Sequence, residues 1–224
     1  GFGNLQVYMP GQNIHRCIDF HAKSPLATKP DQWEDRIIGE TRDGFGFILE
    51  DHINDVGYQA IATPGSLLAY FEAQTEWGTK DWDRVVEPAI GWAERGFIVR
   101  PAVAGWWSDG ASLGRANNLD RMKYSATGRD IYRRPDGSVK RMGHRLTNTD
   151  LADTLRTIAS DGADTFYKGK IAQQIVEDME ANGGLLSEAD LADYRTIHND
   201  PLRSTYRGLN ITSNHPPGGG VMVL

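Results

Sequence analysis

Four residues at alternate positions near the beginning of the chain carry side chains that can bind metal ions: His15, Cys17, Asp19 and His21. Side chains two positions apart in a regular strand point to the same side of it. Imidazole, thiolate and carboxylate groups are common ligands of metal ions. Ligands on one flat strand, however, lie in a row roughly 6.5–7 Å apart and do not converge on one ion. A metal site would need further ligands from other elements, so we predict no metal ligand and no cofactor.

A β-hairpin is predicted to hold this row of residues. Apolar and polar residues alternate from residue 5 to residue 9, and residues 10–13 form a Pro-Gly-Gln-Asn cluster typical of turns. In the second strand, Ile18 and Phe20 lie on the apolar face. His21 follows at the end of this strand, where it could bind a small anionic group.

The segment after the hairpin is predicted to be mainly helical. One helix is expected to begin at Thr63, whose side chain can cap it, and to end at Gly78. A second helix is expected from Val85 to Gly96, with Pro88 either as a kink or as the start of its second half.

Residues 105–146 are rich in Gly, Ser, Asn and Arg, which predicts loops and short elements and no separate domain. Beyond them, Asn148 or Thr149 is expected to cap a helix. A later helix should stop at residues 183–184, and residues 187–190 resemble a capping box with Asp in place of Glu.

Residues 206–212 alternate like a strand, and residues 221–224 look like the apolar start of another element, with more chain to follow. Strands at both ends with helices between them predict a mixed α/β fold. The glycine run at 218–220 lacks the lysine of a phosphate-binding loop and is interpreted as a flexible turn. His215 beside it has no evident Asp or Ser partner.

The composition is that of a globular protein and argues against several classes. With 39% apolar and 24% charged residues, the 224-residue chain can bury a core, which argues against disorder. A net charge of −6 without a basic stripe argues against a general nucleic-acid binder, since Arg133 and Arg134 are an isolated pair. No apolar run approaches the ~20 residues that span a bilayer. Cys17 is the only cysteine, which excludes an intrachain disulfide and leaves the compartment open between cytoplasm and bacterial periplasm.

Short motifs follow one another in a fixed order over nearly the whole chain. They include IDFHAKSP at 18–25, ATPGS at 62–66, VVEPAI at 85–90, GADTFYKG at 162–169, DLADY at 190–194 and PPGGG at 216–220. This ordered set resembles the large subunit of the gamma-glutamyltranspeptidases, which are N-terminal nucleophile hydrolases.

The resemblance implies a four-layer αββα sandwich completed by a second subunit. It also implies a precursor that cuts itself into a large and a small subunit, the new N-terminal threonine of the small subunit being the nucleophile. That threonine would lie past Leu224, so no catalytic residue is assigned in this chain. Residues 1–224 are then expected to form a single domain of the large subunit, with N-terminal and C-terminal portions of that subunit missing.

One residue departs from the pattern of the family. Members that act on gamma-glutamyl compounds carry, just after the Asp-Phe of the second strand, an arginine that clamps the substrate carboxylate. This chain has His21 there, and a histidine cannot supply the paired N–H groups of a guanidinium. Lys23 offers charge nearby without that fork. His21 and Lys23 are the predicted substrate-binding residues.

Three functions are compatible with these observations. The favoured one is an amidohydrolase or acyltransferase that acts on a small amide, through an acyl-enzyme, with a specificity other than gamma-glutamyl. The second is an ordinary gamma-glutamyl transferase or hydrolase in which His21 and Lys23 replace the arginine. The third is a non-catalytic binding or scaffold subunit. The partner in the first two is a small subunit from the same precursor.

Overall fold

The computed structural model describes residues 3–108 and 113–224. Residues 1–2 and 109–112, which belong to the first strand's Gly-rich entry and to the stretch 105–146, lie outside the described residues. The strands are β1 (Asn4–Met9), β2 (Ile14–Asp19), β3 (Ile37–Glu40), β4 (Phe47–Leu49), β5 (Phe97–Ile98), β6 (Arg145–Leu146), β7 (Ile197–Asn199), β8 (Leu202–Tyr206) and β9 (Leu209–Ser213). The helices are α1 (Ser66–Trp77), α2 (Trp82–Arg95), α3 (Pro101–Ser108), α4 (Asn118–Lys123), α5 (Ala126–Tyr132), α6 (Thr149–Asp161), α7 (Asp164–Tyr167), α8 (Lys170–Ala181), α9 (Glu188–Ala192) and α10 (Gly220–Val223).

The predicted N-terminal hairpin is confirmed. β1 and β2 pair antiparallel, from Asn4 opposite Asp19 to Met9 opposite Ile14. A short 3-10 turn joins them and ends at Asn13, whose φ of 55° lies in the left-handed region that asparagine tolerates.

β2 is the central strand of a three-stranded sheet, because β7 pairs with its other edge. Ile18 and Phe20 pack against Ala69 of α1, which covers this part of the sheet. Cys17 and Asp19 are as buried as their apolar neighbours. The end of β2 is therefore enclosed on both faces, and the residues that follow it are held firmly.

The predicted cap at Thr63 is wrong. α1 begins at Ser66, with Gly65 before it and no side-chain cap. Thr63 is instead in extended conformation and exchanges two backbone hydrogen bonds with Lys23, at 2.8 and 3.3 Å. Because both its backbone groups are used in this bridge, Thr63 cannot occupy the cap position. Gly78 ends the helix as predicted.

α2 runs from Trp82 to Arg95 as one helix with Pro88 inside it, so Pro88 does not begin a separate second helix. α2 packs along α6. The cap of α6 is Asn148, whose side chain accepts the N–H of Leu151 at 3.0 Å. The capping box of α9 is also present, with Ser187 and Asp190 bonding to each other's backbone.

The stretch 105–146 contains short helices and loops, as predicted. Three of its described residues, Trp107, Met122 and Leu146, form a small core together with Val99, which precedes the stretch. This core holds β6 and α5 in place beside α3.

The single strand predicted over residues 206–212 is wrong. The structure has a hairpin, β8 and β9, with Arg207 and Gly208 as its two-residue turn. Both turn residues have positive φ, at 50° and 80°, as a tight hairpin requires. Alternation of side chains continues through such a turn, so the pattern alone resembles one uninterrupted strand.

The chain is a mixed α/β protein with small antiparallel sheets. Among the described residues, one sheet has three strands and the others have two. The four-layer sandwich stays a prediction. None of the described helices has the length and apolar character needed to cross a membrane.

Candidate functional site

The two predicted substrate-binding residues lie together at the end of β2. His21 follows the last residue of the strand by two positions, and Lys23 forms the backbone bridge to Thr63 described above. The side chain of His21 is 18% exposed, and Lys23 is exposed. The structure thus brings both to one surface. Their role in binding substrate stays a prediction.

A buried carboxylate fixes His21. One oxygen of Asp19 accepts the backbone N–H of His21 at 2.9 Å and lies 2.5 Å from Nδ1 of its ring. Asp19 itself is only 6% exposed. Because a carboxylate accepts and does not donate, this contact places the proton of the imidazole on Nδ1. Asp19 therefore orients the ring through Nδ1.

Tyr194 connects His21 to Lys23. Its hydroxyl donates to the backbone carbonyl of His21 at 2.9 Å, and the ammonium of Lys23 lies 5.0 Å from the centre of its ring. Lys23 Nζ also donates to the carbonyl of Arg195 at 3.3 Å. A cation over an aromatic face is attracted by the ring quadrupole. We call Asp19, His21, Lys23 and Tyr194 the strand-end cluster.

The ring of Tyr194 is held from behind. It stacks on Tyr167, with ring centres 5.9 Å apart and planes at 19°. The hydroxyl of Tyr167 donates to the carbonyl of Pro64 at 2.9 Å. A Cβ atom placed on Gly65 would lie 1.9 Å from the hydroxyl oxygen of Tyr194 and 2.7 Å from the carbonyl of Phe20. Glycine is required at position 65 because three segments meet there.

Burial raises the pKa of Tyr194 to about 12, with the negative charges of Asp19 and Glu72 acting in the same direction. Burial likewise raises the pKa of Tyr167. Both hydroxyls therefore keep their protons at pH values just above 10, where an ordinary tyrosine ionises.

This shift predicts an alkaline loss of stability that depends on Tyr194. A tyrosine in the unfolded chain has a pKa of about 10. Between pH 10 and 12 the unfolded state releases this proton while the folded state keeps it, so the free energy of unfolding falls as the pH rises. In the complete protein the loss attributable to Tyr194 should be on the order of 2–3 kcal/mol, and it should be absent below pH 10.

Urea unfolding of the complete protein at a series of pH values measures this effect. Tyr194→Phe should cost about 1 kcal/mol at neutral pH through the lost hydrogen bond and should flatten the decline above pH 10. If the free energy of unfolding of Tyr194→Phe fell equally steeply above pH 10, Tyr194 would not be the source of the alkaline loss of stability.

His15 and Cys17, the other two residues of the alternating set in β2, lie outside the strand-end cluster. His15 lies beside Gln6 and Tyr8, and the thiol of Cys17 lies beside the side-chain amide of Asn4. In residues 3–108 and 113–224, no three His, Cys, Asp or Glu side chains are arranged to hold a metal ion. Nε2 of His215 lies 2.7 Å from the backbone carbonyl of Asp200.

A family model described as Gamma-glutamyltranspeptidase matches residues 3–224. The chain belongs to the gamma-glutamyltranspeptidase family. The resemblance deduced from the ordered motifs is thereby confirmed.

Relatives in the gamma-glutamyltranspeptidase family carry two kinds of name. An acylase ACY 1 proenzyme of Pseudomonas sp. (strain SE83) is 39% identical over 218 residues, which are 96% of this chain and 36% of that protein. A glutathione hydrolase proenzyme of Escherichia coli (strain K12) is 34% identical over 226 residues, which are 98% of this chain and 35% of that protein. The chain thus spans about a third of the length of these relatives.

The fold agrees with that of solved members of the family. The crystal structure of Helicobacter pylori gamma-glutamyltranspeptidase superposes with a TM-score of 0.82 at 25% identity, covering 98% of this chain and 58% of that chain. The mixed α/β class predicted from the sequence is confirmed by this match.

The sequence alone singled out two members of the strand-end cluster, His21 and Lys23, and assigned no partner to Asp19. It considered Asp19 only as a metal ligand, whereas the structure uses Asp19 to orient His21. It missed Tyr194, although the residue ends the DLADY motif of the gamma-glutamyltranspeptidase family. Its spacing from His21, more than 170 residues along the chain, gives no local signal.

Two open grooves lie away from the strand-end cluster. One of about 920 Å³ is lined by Tyr58, Tyr124 and Asp178 among others. Another of about 720 Å³ is lined by Trp92 and Phe97 among others. Neither is lined by a residue of the cluster, so these cavities do not locate a substrate at His21.

Proposed function

We propose that this chain is part of the large subunit of an enzyme that cleaves an amide through an acyl-enzyme, with a preference for acyl groups other than gamma-glutamyl. The acyl acceptor is water or an amine. The proposed specificity rests on His21. This residue lies where gamma-glutamyl enzymes of the family are expected to have arginine, and its ring is hydrogen-bonded to Asp19.

The geometry of His21 argues against a strong carboxylate clamp. A guanidinium presents two parallel N–H groups to a carboxylate. An imidazole whose Nδ1 is held by Asp19 presents at most one nitrogen to a ligand. The buried negative charge of Asp19, directly behind the ring, further disfavours an anionic substrate group at this point. These effects together lower the affinity for a free α-carboxylate.

The names of the relatives also support a preference for acyl groups other than gamma-glutamyl. The acylase proenzyme is 39% identical to this chain and the glutathione hydrolase proenzyme is 34% identical. A proenzyme name accords with a precursor that is processed into two chains. We propose that residues 1–224 are one domain of the large subunit and that a small subunit supplies the N-terminal threonine, as nucleophile, and completes the sandwich.

A substrate panel tests the proposal. The complete processed enzyme is assayed on three anilides: gamma-glutamyl, glutaryl, which lacks the α-amino group, and butyryl, which lacks both charged groups. The butyryl anilide, which has no carboxylate to place beside His21, should give a kcat/KM about tenfold or more above that of the gamma-glutamyl anilide. The highest kcat/KM on the glutaryl anilide would contradict the argument from His21. The highest kcat/KM on the gamma-glutamyl anilide would refute the proposed specificity. No cleavage of any amide would refute the enzyme function.

A second candidate is an ordinary gamma-glutamyl transferase or hydrolase, and Lys23 is the observation that favours it. Its ammonium lies over Tyr194, close to His21, and is exposed. A single cation beside a histidine can attract a carboxylate, although without the fork of an arginine.

The variant His21→Ala distinguishes the two candidates. If His21 and Lys23 form a replacement clamp, KM for the gamma-glutamyl anilide should rise about tenfold. If the acyl preference differs, that KM should stay unchanged while KM for the preferred anilide rises. His15→Ala, a change at the other end of the same strand, is the control and should alter neither value. An unchanged KM for every substrate would remove His21 from the site.

A further inference from the structure

A short groove with a strongly basic lining lies far along the chain from the strand-end cluster. Its volume is about 570 Å³. We call it the basic groove. Five Lys or Arg side chains, one histidine and one carboxylate line it, namely Arg129, Asp130, Arg133, Arg134, Lys140, His144 and Arg145. The sequence showed only an isolated Arg133–Arg134 pair. Folding brings the other residues beside it, because the core around Trp107 and Leu146 packs α5 and β6 into one unit.

Most of these cations are held by neutral groups. The guanidinium of Arg129 donates to the carbonyl of Lys123 at 2.8 Å, and that of Arg133 donates to the carbonyl of Gly137 at 2.7 Å. Lys140 donates to the carbonyl of Ile131 at 2.7 Å, and Arg145 donates to the carbonyl of Arg95 at 2.9 Å. These bonds fix the side chains without neutralising them.

The charge of the basic groove is therefore largely uncompensated. In the part of the chain that the structure describes, no carboxylate lies within 4.0 Å of the charged atoms of Arg129, Arg133, Lys140 or Arg145, whereas Arg134 pairs with Asp136 at 3.2 Å. Residues 129–145 contain six Lys or Arg and two Asp, a net charge of +4, in a chain whose net charge is −6. Like charges held close together repel, and an anion between them relieves that repulsion.

We propose that the basic groove binds a small polyanion that carries two or more phosphate-type groups. Its volume lies within the range of ordinary small-molecule sites, roughly 300–1,000 Å³. Guanidinium groups match the oxygen pairs of phosphates in two-pronged hydrogen bonds. Side chains already tied to backbone carbonyls lose little further freedom when a ligand binds.

A nucleic acid suits this groove less well. Its described lining contains no phenylalanine, tyrosine or tryptophan on which a base could stack. The rest of the chain is acidic, with a net charge of −10 once the +4 of residues 129–145 is subtracted from −6. A long polyanion that extends beyond the groove would meet this negative surface.

Calorimetric titration of the complete protein with inorganic pyrophosphate, at about 50 mM salt, tests the proposal. Saturable binding is expected, and Arg133→Gln combined with Lys140→Gln should raise Kd at least about tenfold. The control is Arg84→Gln combined with Arg203→Gln, which removes two charges outside the groove and should change Kd less than about twofold. Amide cleavage should be unaffected in both, so this outcome is independent of the proposed function.

Arg133 and Lys140 also donate to backbone carbonyls, so the groove variant could fold poorly. A second measurement therefore uses only the wild-type protein. In the wild-type protein, saturating pyrophosphate should protect Arg129 and Arg133 from modification by phenylglyoxal, as read by mass spectrometry, and should leave Arg84 reactive. The proposal is overturned by absence of saturable binding, by an unchanged Kd in a folded groove variant, or by protection elsewhere. A 20-nucleotide single-stranded DNA that binds about tenfold tighter than pyrophosphate would assign the groove to nucleic acid instead.

Discussion

Replacing Gly65 with alanine is expected to lower the free energy of unfolding by about 3 kcal/mol and to abolish most amide cleavage by the complete enzyme. The added methyl group would occupy the position of the Tyr194 hydroxyl, 1.9 Å away, and would press on the carbonyl of Phe20. Neither neighbour can move freely, because Tyr194 is stacked on Tyr167 and bonded to His21. The backbone of Gly65 has a φ of −114°, so the expected cost comes from contact and not from backbone strain.

Urea unfolding and kcat/KM measure the effect of Gly65→Ala, and Gly11→Ala is the matched control. A Cβ atom on Gly11 meets no atom within 4 Å, so this variant should stay within about 0.5 kcal/mol of the wild type. A double-mutant cycle with Tyr194→Phe sharpens the test. Removing the hydroxyl takes away the nearest atom, so Gly65→Ala should cost less in that background. Equal costs in both backgrounds would show that Tyr194 is not the obstacle.

Replacing Asp19 with alanine should cost about 2–3 kcal/mol of stability and lower kcat/KM for the preferred amide at least about tenfold. The change removes the acceptor of two hydrogen bonds from His21, at the backbone N–H and at Nδ1. It leaves the half-buried backbone N–H of His21 without this acceptor and removes the carboxylate that orients the imidazole. His21 would then no longer face the substrate in one orientation.

The variant Asp19→Asn removes the negative charge of residue 19 but keeps a side chain of the same shape. Its side-chain oxygen can still accept one N–H, so the loss of stability should be smaller than for alanine. Asp200→Ala is the control for charge removal, because Asp200 is exposed and pairs only with Arg16 among described side chains. It should cost less than about 0.5 kcal/mol. A kcat/KM that is unchanged in Asp19→Ala would mean that the orientation of His21 has no part in the reaction.

The local elements of the chain could be predicted because their signals are local. The hairpin rests on alternation plus a turn cluster, and Asn148 and Ser187 are recognised as caps from a few neighbouring residues. The error at Thr63 has a different origin. A threonine before a proline fits a helix cap by type, but a backbone bridge to Lys23, 40 positions earlier, overrides that preference. Information of that kind is absent from the neighbouring sequence.

The candidate site was predictable only in part for the same reason. His21 and Lys23 could be assigned by comparison with a family motif, which needs no knowledge of contacts. The closeness of Tyr194 and Gly65 depends on how α9 and the start of α1 pack against the end of β2. No pattern within either segment specifies that packing. The basic groove is a similar case, since its charges come from a helix, a turn and a short strand that are adjacent only in the folded chain.

The pairing of β2 with β7 has a consequence for biosynthesis. Asp19 lies opposite Ile197, so about 180 residues separate two strands that form one wall. Closing a loop of that length costs roughly 4–5 kcal/mol of chain entropy, which only the docked helices in between can offset. A polypeptide whose synthesis stops before residue 197 therefore has its first hairpin but lacks the third strand of this sheet. The wall beside His21 is complete only after residues 197–199 have been made.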